Sequence, residues 1–370
     1  MRRATVRRVA AICGIATALA FGLSGCTNSS STTSNTSTNS APVPNALGST
    51  SAAQSGSTAL QTRKIGILDV NASDPAAAQL EDSAKQAIST LHWTSVSVDA
   101  AGNPSKMAAG MQQLLVQNVD AILLDAVDPA AVTQGLQQAK DKHVPVIVYG
   151  GQGTPSDLVA ASIAPDDFIL ASLVANYLTN AIGNTGSVAI MATDALTFSR
   201  NRTTLLKAYL ASYPGIKTVE IHQVDYANYV ADVQTAVSAL LKQYPNLSAI
   251  ITTVSPYSNP AISELQREGR KLPVIGFYDT PSNLALIRSG GLTAVAATSF
   301  PQNAYQAVDA LAEYFGRAIA ISGASQYALP LRYTLVDADN IDSTSTTAAG
   351  AVDYKSYYLN VWKREFTNVS

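Results

Sequence analysis

Short apolar runs rich in β-branched residues alternate with segments of helical periodicity, and this alternation limits the possible folds more than any other feature of the chain. The runs are Ile65 to Val70, Ala121 to Leu124, Val144 to Tyr149, Val188 to Met191, Ala249 to Val254, Val274 to Phe277 and Thr293 to Ala297. Between them, apolar residues recur at helical spacing, as in Met107, Met111, Leu114 and Leu115. A strand and a helix repeating roughly every 25 residues predict an α/β protein with parallel sheets covered by helices on both faces.

Five pairs of a small polar residue and a proline follow soon after apolar runs. They are Asp74-Pro75, Asn103-Pro104, Asp128-Pro129, Ser255-Pro256 and Thr280-Pro281. Each pair is typical of a helix start, because the polar side chain caps the first turn and proline is tolerated at the first helical position. Such caps place strand ends and helix starts along one edge of each sheet, which is where open α/β sheets bind their ligands.

The N-terminus has the pattern of an export signal. Arginines at positions 2, 3, 7 and 8 precede an apolar run from Val9 to about Gly22, which is too short to span a bilayer as a helix. The run ends in Leu23-Ser24-Gly25-Cys26, which resembles the lipobox of bacterial lipoproteins. That resemblance implies a signal peptide over residues 1–26 and lipid attachment at Cys26, which would anchor the chain to the cell membrane; the alternative is an ordinary secretory signal.

The remaining composition excludes several classes of function. Residues 27–62 are nearly all small or polar and carry no charge, which predicts a flexible tether. Without the leader, 20 basic residues face 26 acidic ones, a net charge of −6 with no basic tract, so no nucleic-acid partner is expected. The other cysteine, Cys13, lies in the leader, and His92, His143 and His222 are scattered. We therefore predict no disulfide, no metal, no cofactor and no catalytic residue.

Several short motifs occur in the order found in one family of binding proteins. They are Lys64-Ile65-Gly66-Ile67, Asn103-Pro104, Val119 to Leu124, Val144 to Val148, Ser162 to Asp167, Val274-Ile275-Gly276-Phe277 and Gly290 to Ala294. From about Lys64 to about Val336 the chain thus resembles the type I periplasmic solute-binding proteins, of the ribose- and galactose-type branch that serves ABC importers. The resemblance implies two Rossmann-like lobes with parallel sheets, joined by a three-strand hinge, that close around a ligand.

The same resemblance implies lobe boundaries. Lobe 1 would comprise residues 63–163 and 299–330, and lobe 2 residues 164–298 and 331–342. A tail over residues 343–370 would pack on a lobe as a loop and short helix, or form a contact surface for the permease.

The family also implies a set of ligand-binding side chains. Arg202 is the first candidate, because a guanidinium suits two neighbouring hydroxyls, and Arg200 is its nearest alternative. Asp74 is expected to contact the ligand or to cap its helix, and either Tyr278 or Asp279 to replace the family's usual aspartate. The other candidates are Tyr149, Phe198, Tyr226 and Tyr257 as aromatic walls, and Ser255 and Ser299 at family polar positions.

Some positions depart from the family pattern. Ala76 and Ala77 stand where an aromatic pair is usual, and Gly150-Gly151 replaces an Asp-Arg pair, so ribose, galactose and glucose are disfavoured as ligands. The sequence predicts a monomeric, lipid-anchored extracytoplasmic protein that delivers a sugar, a polyol or a sugar-like solute to an ABC permease. Two alternatives remain: a surface receptor coupled to a membrane sensor, and, more remotely, a cell-surface hydrolase.

Overall fold

The computed structural model describes residues 58–321, 327–341 and 352–370, within a compact unit that extends from Gln54 to Ser370. The predicted signal peptide with Cys26, and the predicted tether up to residue 57, lie outside the described residues. Across the described ranges, no helix combines the length and the apolar character that crossing a bilayer requires.

The first lobe is built on a parallel sheet of five strands in the order β2-β1-β3-β4-β5. These strands are β1 (Lys64–Asp69), β2 (Thr94–Asp99), β3 (Ala121–Asp125), β4 (Val146–Tyr149) and β5 (Ala161–Ile163). The helices between them are α1 (Pro75–Thr90), α2 (Pro104–Val116) and α3 (Thr133–Asp141). β1, β3 and β4 are almost wholly buried, as their unbroken apolar character predicts for strands covered on both faces.

The second lobe is built on a six-stranded sheet in the order β11-β10-β9-β8-β6-β7. Its strands are β6 (Gly186–Ala192), β7 (Ile216–Gln223), β8 (Leu247–Thr252), β9 (Val274–Phe277), β10 (Ala294–Thr298) and β11 (Tyr333–Asp337). Its helices are α4 (Asp167–Ala181), α5 (Thr197–Ala211), α6 (Tyr229–Gln243), α7 (Ser258–Arg267) and α8 (Pro281–Arg288). The predicted α/β class with two sheet-based lobes is confirmed.

The second sheet is not parallel throughout, because β11 pairs antiparallel with β10. Thr298, at the end of β10, lies opposite Tyr333, at the start of β11. The chain therefore leaves this lobe and returns to it at the same edge, so the returning strand has to run in the opposite direction. The predicted parallel sheets are confirmed, and β11 adds an antiparallel strand at this edge.

The chain passes between the lobes at three places within the described residues: 164–166, 299–301 and 328–332. The second passage leads into α9 (Gln302–Arg317), which packs on α1 of the first lobe. The C-terminal helix α10 (Tyr354–Glu365) packs in turn on α9. There Trp362 is fully buried, lies parallel to Tyr305 with ring centroids 5.9 Å apart, and donates from Nε1 to Asp309 Oδ1 at 2.7 Å.

The two ends of the described body lie together. Leu60 N donates to Asn368 Oδ1 at 2.8 Å, and Asn368 Nδ2 donates back to Leu60 O at 2.9 Å. Thr58 forms a parallel β-bridge with Phe366, which is buried. The beginning and the end of the folded chain are thus joined on the first lobe.

Four of the five predicted caps are present. Asp74, Asn103, Asp128 and Thr280 each accept a hydrogen bond from a backbone N–H in the first turn that follows them. Ser255 does not, and the cap prediction was wrong there. Ser255 begins a short 3-10 turn, and its hydroxyl accepts instead from Asn283 Nδ2 of α8 at 3.1 Å.

Candidate ligand site between the lobes

Side chains from both lobes meet along the edge where the strands end and the helices begin. Tyr226 OH, from the second lobe, donates to Asp74 Oδ2 of the first at 3.0 Å, and both residues are buried. Farther along, Asp128 of the first lobe accepts from Thr197 and, at 3.2 Å, from Arg200 Nη2 of α5. These hydrogen bonds hold the lobes in a closed arrangement. Arg200, the alternative to Arg202 among the predicted ligand contacts, is thereby paired with Asp128.

A deep cavity lies beside the Asp74–Tyr226 hydrogen bond. It has a volume of about 20 Å³, which is room for about one water molecule. Five of the predicted ligand-binding residues line it, namely Asp74, Phe198, Tyr226, Ser255 and Tyr278. Ala76, Ala77 and Gly150, three of the positions that depart from the family pattern, line it as well. The closed lobes therefore bring these predicted residues together around a very small space.

Arg202 is fully buried and held by the second lobe. Its Nε donates to Asp167 Oδ1 at 2.8 Å and its Nη1 to Thr253 O at 2.9 Å, while Nη2 donates to Tyr278 OH. The guanidinium also lies 4.4 to 4.8 Å from the centroids of the three rings of Phe198, Phe277 and Tyr278. Burial raises the pKa of Asp167 although Arg202 lies beside it. In the closed arrangement Arg202 positions Asp167 and Tyr278.

Tyr278 has an unusual backbone conformation. Its φ of +66° lies in the left-handed region, which is uncommon for a residue with a bulky side chain. Its ring stacks on Phe300 with centroids 4.2 Å apart and planes inclined by 21°. This geometry directs Tyr278 into the deep cavity, whereas its neighbour Asp279 lines a different, open space.

Buried carboxyl groups characterise the first-lobe side of the site. Burial raises the pKa of Asp74 to about 6 and that of Asp69 to about 7, and it raises the pKa of Asp125 well above its usual range. Tyr149, a predicted aromatic wall, does not line the cavity; it is fully buried, and its OH donates to Asp125 Oδ2 at 3.0 Å. Tyr257 is also fully buried, beside Tyr229, and does not line the cavity.

The open space is a groove of about 810 Å³ on the hinge side of the lobes. Asp279 and Ser299 are the predicted ligand-binding residues that line it. Several further lining residues were not predicted from the sequence; they are Gln79, Ser83, Thr298, Gln302, Tyr333 and Tyr354. The helix starts at Asp74-Pro75 and Thr280-Pro281 could have indicated its two flanks. No local sequence pattern marks Tyr354, which comes from the C-terminal helix.

The described residues offer no obvious site for a metal ion. Within ranges 58–321, 327–341 and 352–370, no three His, Cys, Asp or Glu side chains cluster in a way that could hold one. The polar groups of the cleft are carboxyls, hydroxyls and amides together with the guanidinium of Arg200, and such groups suit hydrogen bonding to a hydroxylated organic molecule.

Two sheet-based lobes, three interlobe passages and a polar cleft define the architecture of a type I solute-binding protein. The family model described as "Periplasmic binding protein domain" matches residues 65–317, and the chain belongs to this family. Among curated proteins, it is 24% identical over 238 residues to the ribose import binding protein RbsB of Escherichia coli K12. That match covers 60% of this chain and 75% of the relative. The chain is also 24% identical over 204 residues to the xylitol-binding protein of Mycolicibacterium smegmatis, covering 54% of this chain and 56% of that protein.

Solved structures show the same fold. An ABC transporter solute-binding protein from Mycobacterium smegmatis with bound glycerol superposes with a TM-score of 0.69 at 22% identity, covering 78% of this chain and all of that one. A solute-binding protein from Agrobacterium vitis with bound allitol has a TM-score of 0.66 at 21% identity, covering 76% and 97% of the two chains. These relatives are binding proteins.

Proposed function

We propose that this protein is a lipid-anchored, extracytoplasmic solute-binding protein that captures a sugar, a polyol or a sugar-like solute and delivers it to an ABC import permease. The observation that carries the proposal is the closed cleft, in which polar side chains of both lobes face each other beside the hinge passages. Family membership supports binding as the activity, and the ribose, xylitol, glycerol and allitol named for its relatives support a polyhydroxylated solute.

The solute acts by stabilising the closed arrangement. A ligand shifts an equilibrium between open and closed forms only if its affinity for the two differs, so it has to contact both lobes at once. The Asp74–Tyr226 and Asp128–Arg200 bonds already favour closure, and the solute adds to them. No bond in the solute is made or broken, and a single chain is sufficient for capture.

The binding activity is tested by thermal unfolding and calorimetry of residues 58–370 with ribose, xylitol, allitol, myo-inositol and maltitol, with amino acids as negative controls. At least one polyhydroxylated compound should raise the unfolding temperature and be recovered unchanged. Stabilisation by amino acids alone, or recovery of a chemically altered compound, would contradict the proposal.

Delivery and anchoring are tested in cells. Deleting the gene should abolish uptake of the bound compound, whereas retained uptake with a lost transcriptional response would favour a sensor role. A C26A variant should lose labelling by palmitate and appear in the medium or periplasm. Palmitate labelling that persists in that variant would argue against lipid attachment at Cys26.

A further inference from the structure

Asp125 is a buried carboxyl that lines the deep cavity between the lobes. Its side chain is fully buried, and its Oδ1 makes no hydrogen bond with any residue that the structure describes. The other oxygen, Oδ2, accepts from Tyr149 OH, and Tyr149 does not line the cavity. A buried carboxyl oxygen without a partner is costly, so such an atom usually marks a place for a water molecule, an ion or a ligand. Oδ1 is therefore the oxygen of Asp125 that is available to a molecule in the cleft.

Glycine at position 150 leaves this oxygen uncovered. Gly150 lines the cavity beside Asp125, and its φ of +77° lies in the left-handed region that favours glycine. A Cβ atom at this position would collide with Leu80 and would lie 3.5 Å from Asp125 Oδ1. No side chain fits at position 150, so the protein cannot supply a basic group from that point to pair with Asp125.

Asp74 brings a second carboxyl to the same cavity. It accepts hydrogen bonds from two neutral donors, the Tyr226 hydroxyl at 3.0 Å and the Ala76 N–H at 2.8 Å. Within the described part of the chain, no basic side chain forms an ion pair with Asp74 or with Asp125. The cavity thus contains two buried carboxyls for which the protein provides no positive charge.

Most titratable groups around the two carboxyls are acidic or neutral. Asp69 of β1 and Glu81 of α1 lie near Asp125, and burial together with these charges raises the pKa of Asp125 well above its usual range. The other titratable neighbours are phenols, namely Tyr149, Tyr226, Tyr229 and Tyr257. The basic side chains of the region have carboxylate partners of their own, which are Lys85 with Glu81, Arg200 with Asp128 and Arg202 with Asp167. Ionised Asp74 and Asp125 therefore give the cleft a negative potential.

Aromatic rings form much of the remaining lining. Phe198, Tyr226 and Tyr278 come from the second lobe, and Phe300 comes from a passage between the lobes. The face of an aromatic ring attracts a cation, and the Arg202 guanidinium already lies 4.7 Å from the centroid of the Phe198 ring. Carboxylates and ring faces together suit a protonated amine better than an uncharged hydroxyl.

The cavity can widen because its walls belong to different lobes. In the closed arrangement it has room for about one water molecule. Asp74 and Asp125 line it from the first lobe, and Phe198 and Tyr226 line it from the second, so hinge motion separates these walls. A solute enters while the lobes are apart and is enclosed at a wider separation than that of the structure.

We infer that the solute bound in this cleft carries a protonated amino group, which pairs with Asp125 Oδ1 and is attracted by the charge of Asp74. The inference rests on the proposed solute-binding function and names the chemical class of the solute, an amino sugar or an amino polyol. An uncharged sugar would leave both buried carboxylates without a counter-charge, whereas an amine supplies one.

Matched pairs of compounds separate an amine from a hydroxyl. Calorimetry on residues 58–370 at pH 7.0 would compare 1-amino-1-deoxysorbitol with sorbitol, glucosamine with glucose, and galactosamine with galactose. At least one amino compound should bind about tenfold or more tightly than its hydroxyl partner, because a charge-assisted hydrogen bond is stronger than a neutral one. Binding confined to uncharged compounds, of these pairs or of the panel above, would overturn the inference and leave the proposed function intact. If no compound of either set binds, the proposed function fails, and the inference fails with it.

Two substitutions at opposite ends of β3 locate the amine. D125N removes the charge at the end that lines the cavity, and D120N removes a charge just before the start, roughly 16 Å away along the strand. D125N should reduce the preference for the amino compound to within about threefold, whereas D120N should keep it. The ligand-free unfolding temperature of D125N should not fall, because the variant loses a buried charge that has no basic partner. A preference that persists in D125N, or that is lost equally in D120N, would overturn the role of Asp125.

The pH dependence of the parent is a test that needs no variant. The ammonium group of 1-amino-1-deoxysorbitol stays charged between pH 5.5 and 7.5, as expected for a simple alkyl amine. Asp74, whose pKa is about 6, loses its proton over this range and Asp125 begins to do so, so the affinity for this amine should rise about threefold or more. An uncharged solute that accepts hydrogen bonds from the protonated carboxyls would instead bind more weakly as the pH rises. A constant or falling affinity for the amine would overturn the inference.

Discussion

Replacing Asp74 by Asn tests how the closed cleft changes the ionisation of the Asp74 carboxyl. Asp74 Oδ1 accepts from Ala76 N at 2.8 Å as the cap of α1, and Oδ2 accepts from Tyr226 OH at 3.0 Å. In D74N the amide oxygen can keep the cap, and the amide nitrogen can donate to the phenol oxygen, which also accepts hydrogen bonds. The variant therefore keeps both contacts and loses only the ionisable proton.

The size of the effect follows from the pKa of Asp74. Burial raises this pKa from an ordinary 3.8 to about 6, so the folded protein holds the proton more tightly than the unfolded chain does. The resulting stabilisation is fully present below pH 3.8 and is lost as the pH rises through 6. Between pH 5.5 and 7.5 the loss attributable to this carboxyl is about 1 kcal/mol, which corresponds to about 2 °C in unfolding temperature for a body of this size.

The assay is thermal unfolding of the parent and D74N at pH 5.5, 6.5 and 7.5 and constant ionic strength. Asp69 also has a raised pKa, but its contribution is the same in both proteins and cancels in the difference. The charge of Asp74 adds to the raised pKa of Asp125, so D74N also removes that part of the pH dependence of Asp125. The parent should lose more stability than D74N as the pH rises. Equal pH dependence in the two proteins would refute the reasoning, because Asp74 would then ionise as freely as in an open cleft.

Three further predictions concern stability. R202M should lower the free energy of unfolding, measured by urea titration, by about 3–5 kcal/mol, because it leaves the buried carboxylate of Asp167 without its arginine partner. A loss below about 1 kcal/mol would contradict the stabilising role of the Arg202–Asp167 pair. N103A should cost about 1 kcal/mol through loss of the α2 cap, measured by thermal unfolding, and an unchanged unfolding temperature would show that the cap is dispensable. W362A should lower the free energy of unfolding by about 3–5 kcal/mol, since the Trp362 ring is fully buried and hydrogen-bonded to Asp309. A smaller loss, with α10 unfolding at a lower temperature than the rest, would indicate that this helix unfolds independently of α9.

The sequence predicted seven strands, and the structure shows that these seven are the interior strands of the two sheets. The four strands outside those apolar runs, β2, β5, β7 and β11, all lie at sheet edges. β2, for example, has no fully buried residue, and β5 has only three residues. An edge strand is covered less completely than an interior one, so it needs no continuous apolar run and gives no such signal.

The candidate site was predictable only in part. Strand ends and caps predicted the edge at which the lobes meet, and the family resemblance indicated residues such as Asp74 and Tyr226, which the structure brings together there. The small volume of the deep cavity depends on the stacking of Tyr278 with Phe300, a contact between two different hinge-edge segments. No local pattern encodes such a contact, nor the approach of Tyr354 from the far end of the chain.

The pairing of Leu60 with Asn368 has a mechanical consequence. Both ends of the folded body leave from the same half, so a load applied upstream of Thr58 is transmitted to that half alone. The other half can move about the hinge passages without a direct pull on the point of attachment. A label or a partner protein fused after Ser370 would likewise be attached to the first lobe. The same proximity of the termini allows a circular permutant, in which a short linker joins residues near Thr58 and Ser370 and new termini are introduced elsewhere.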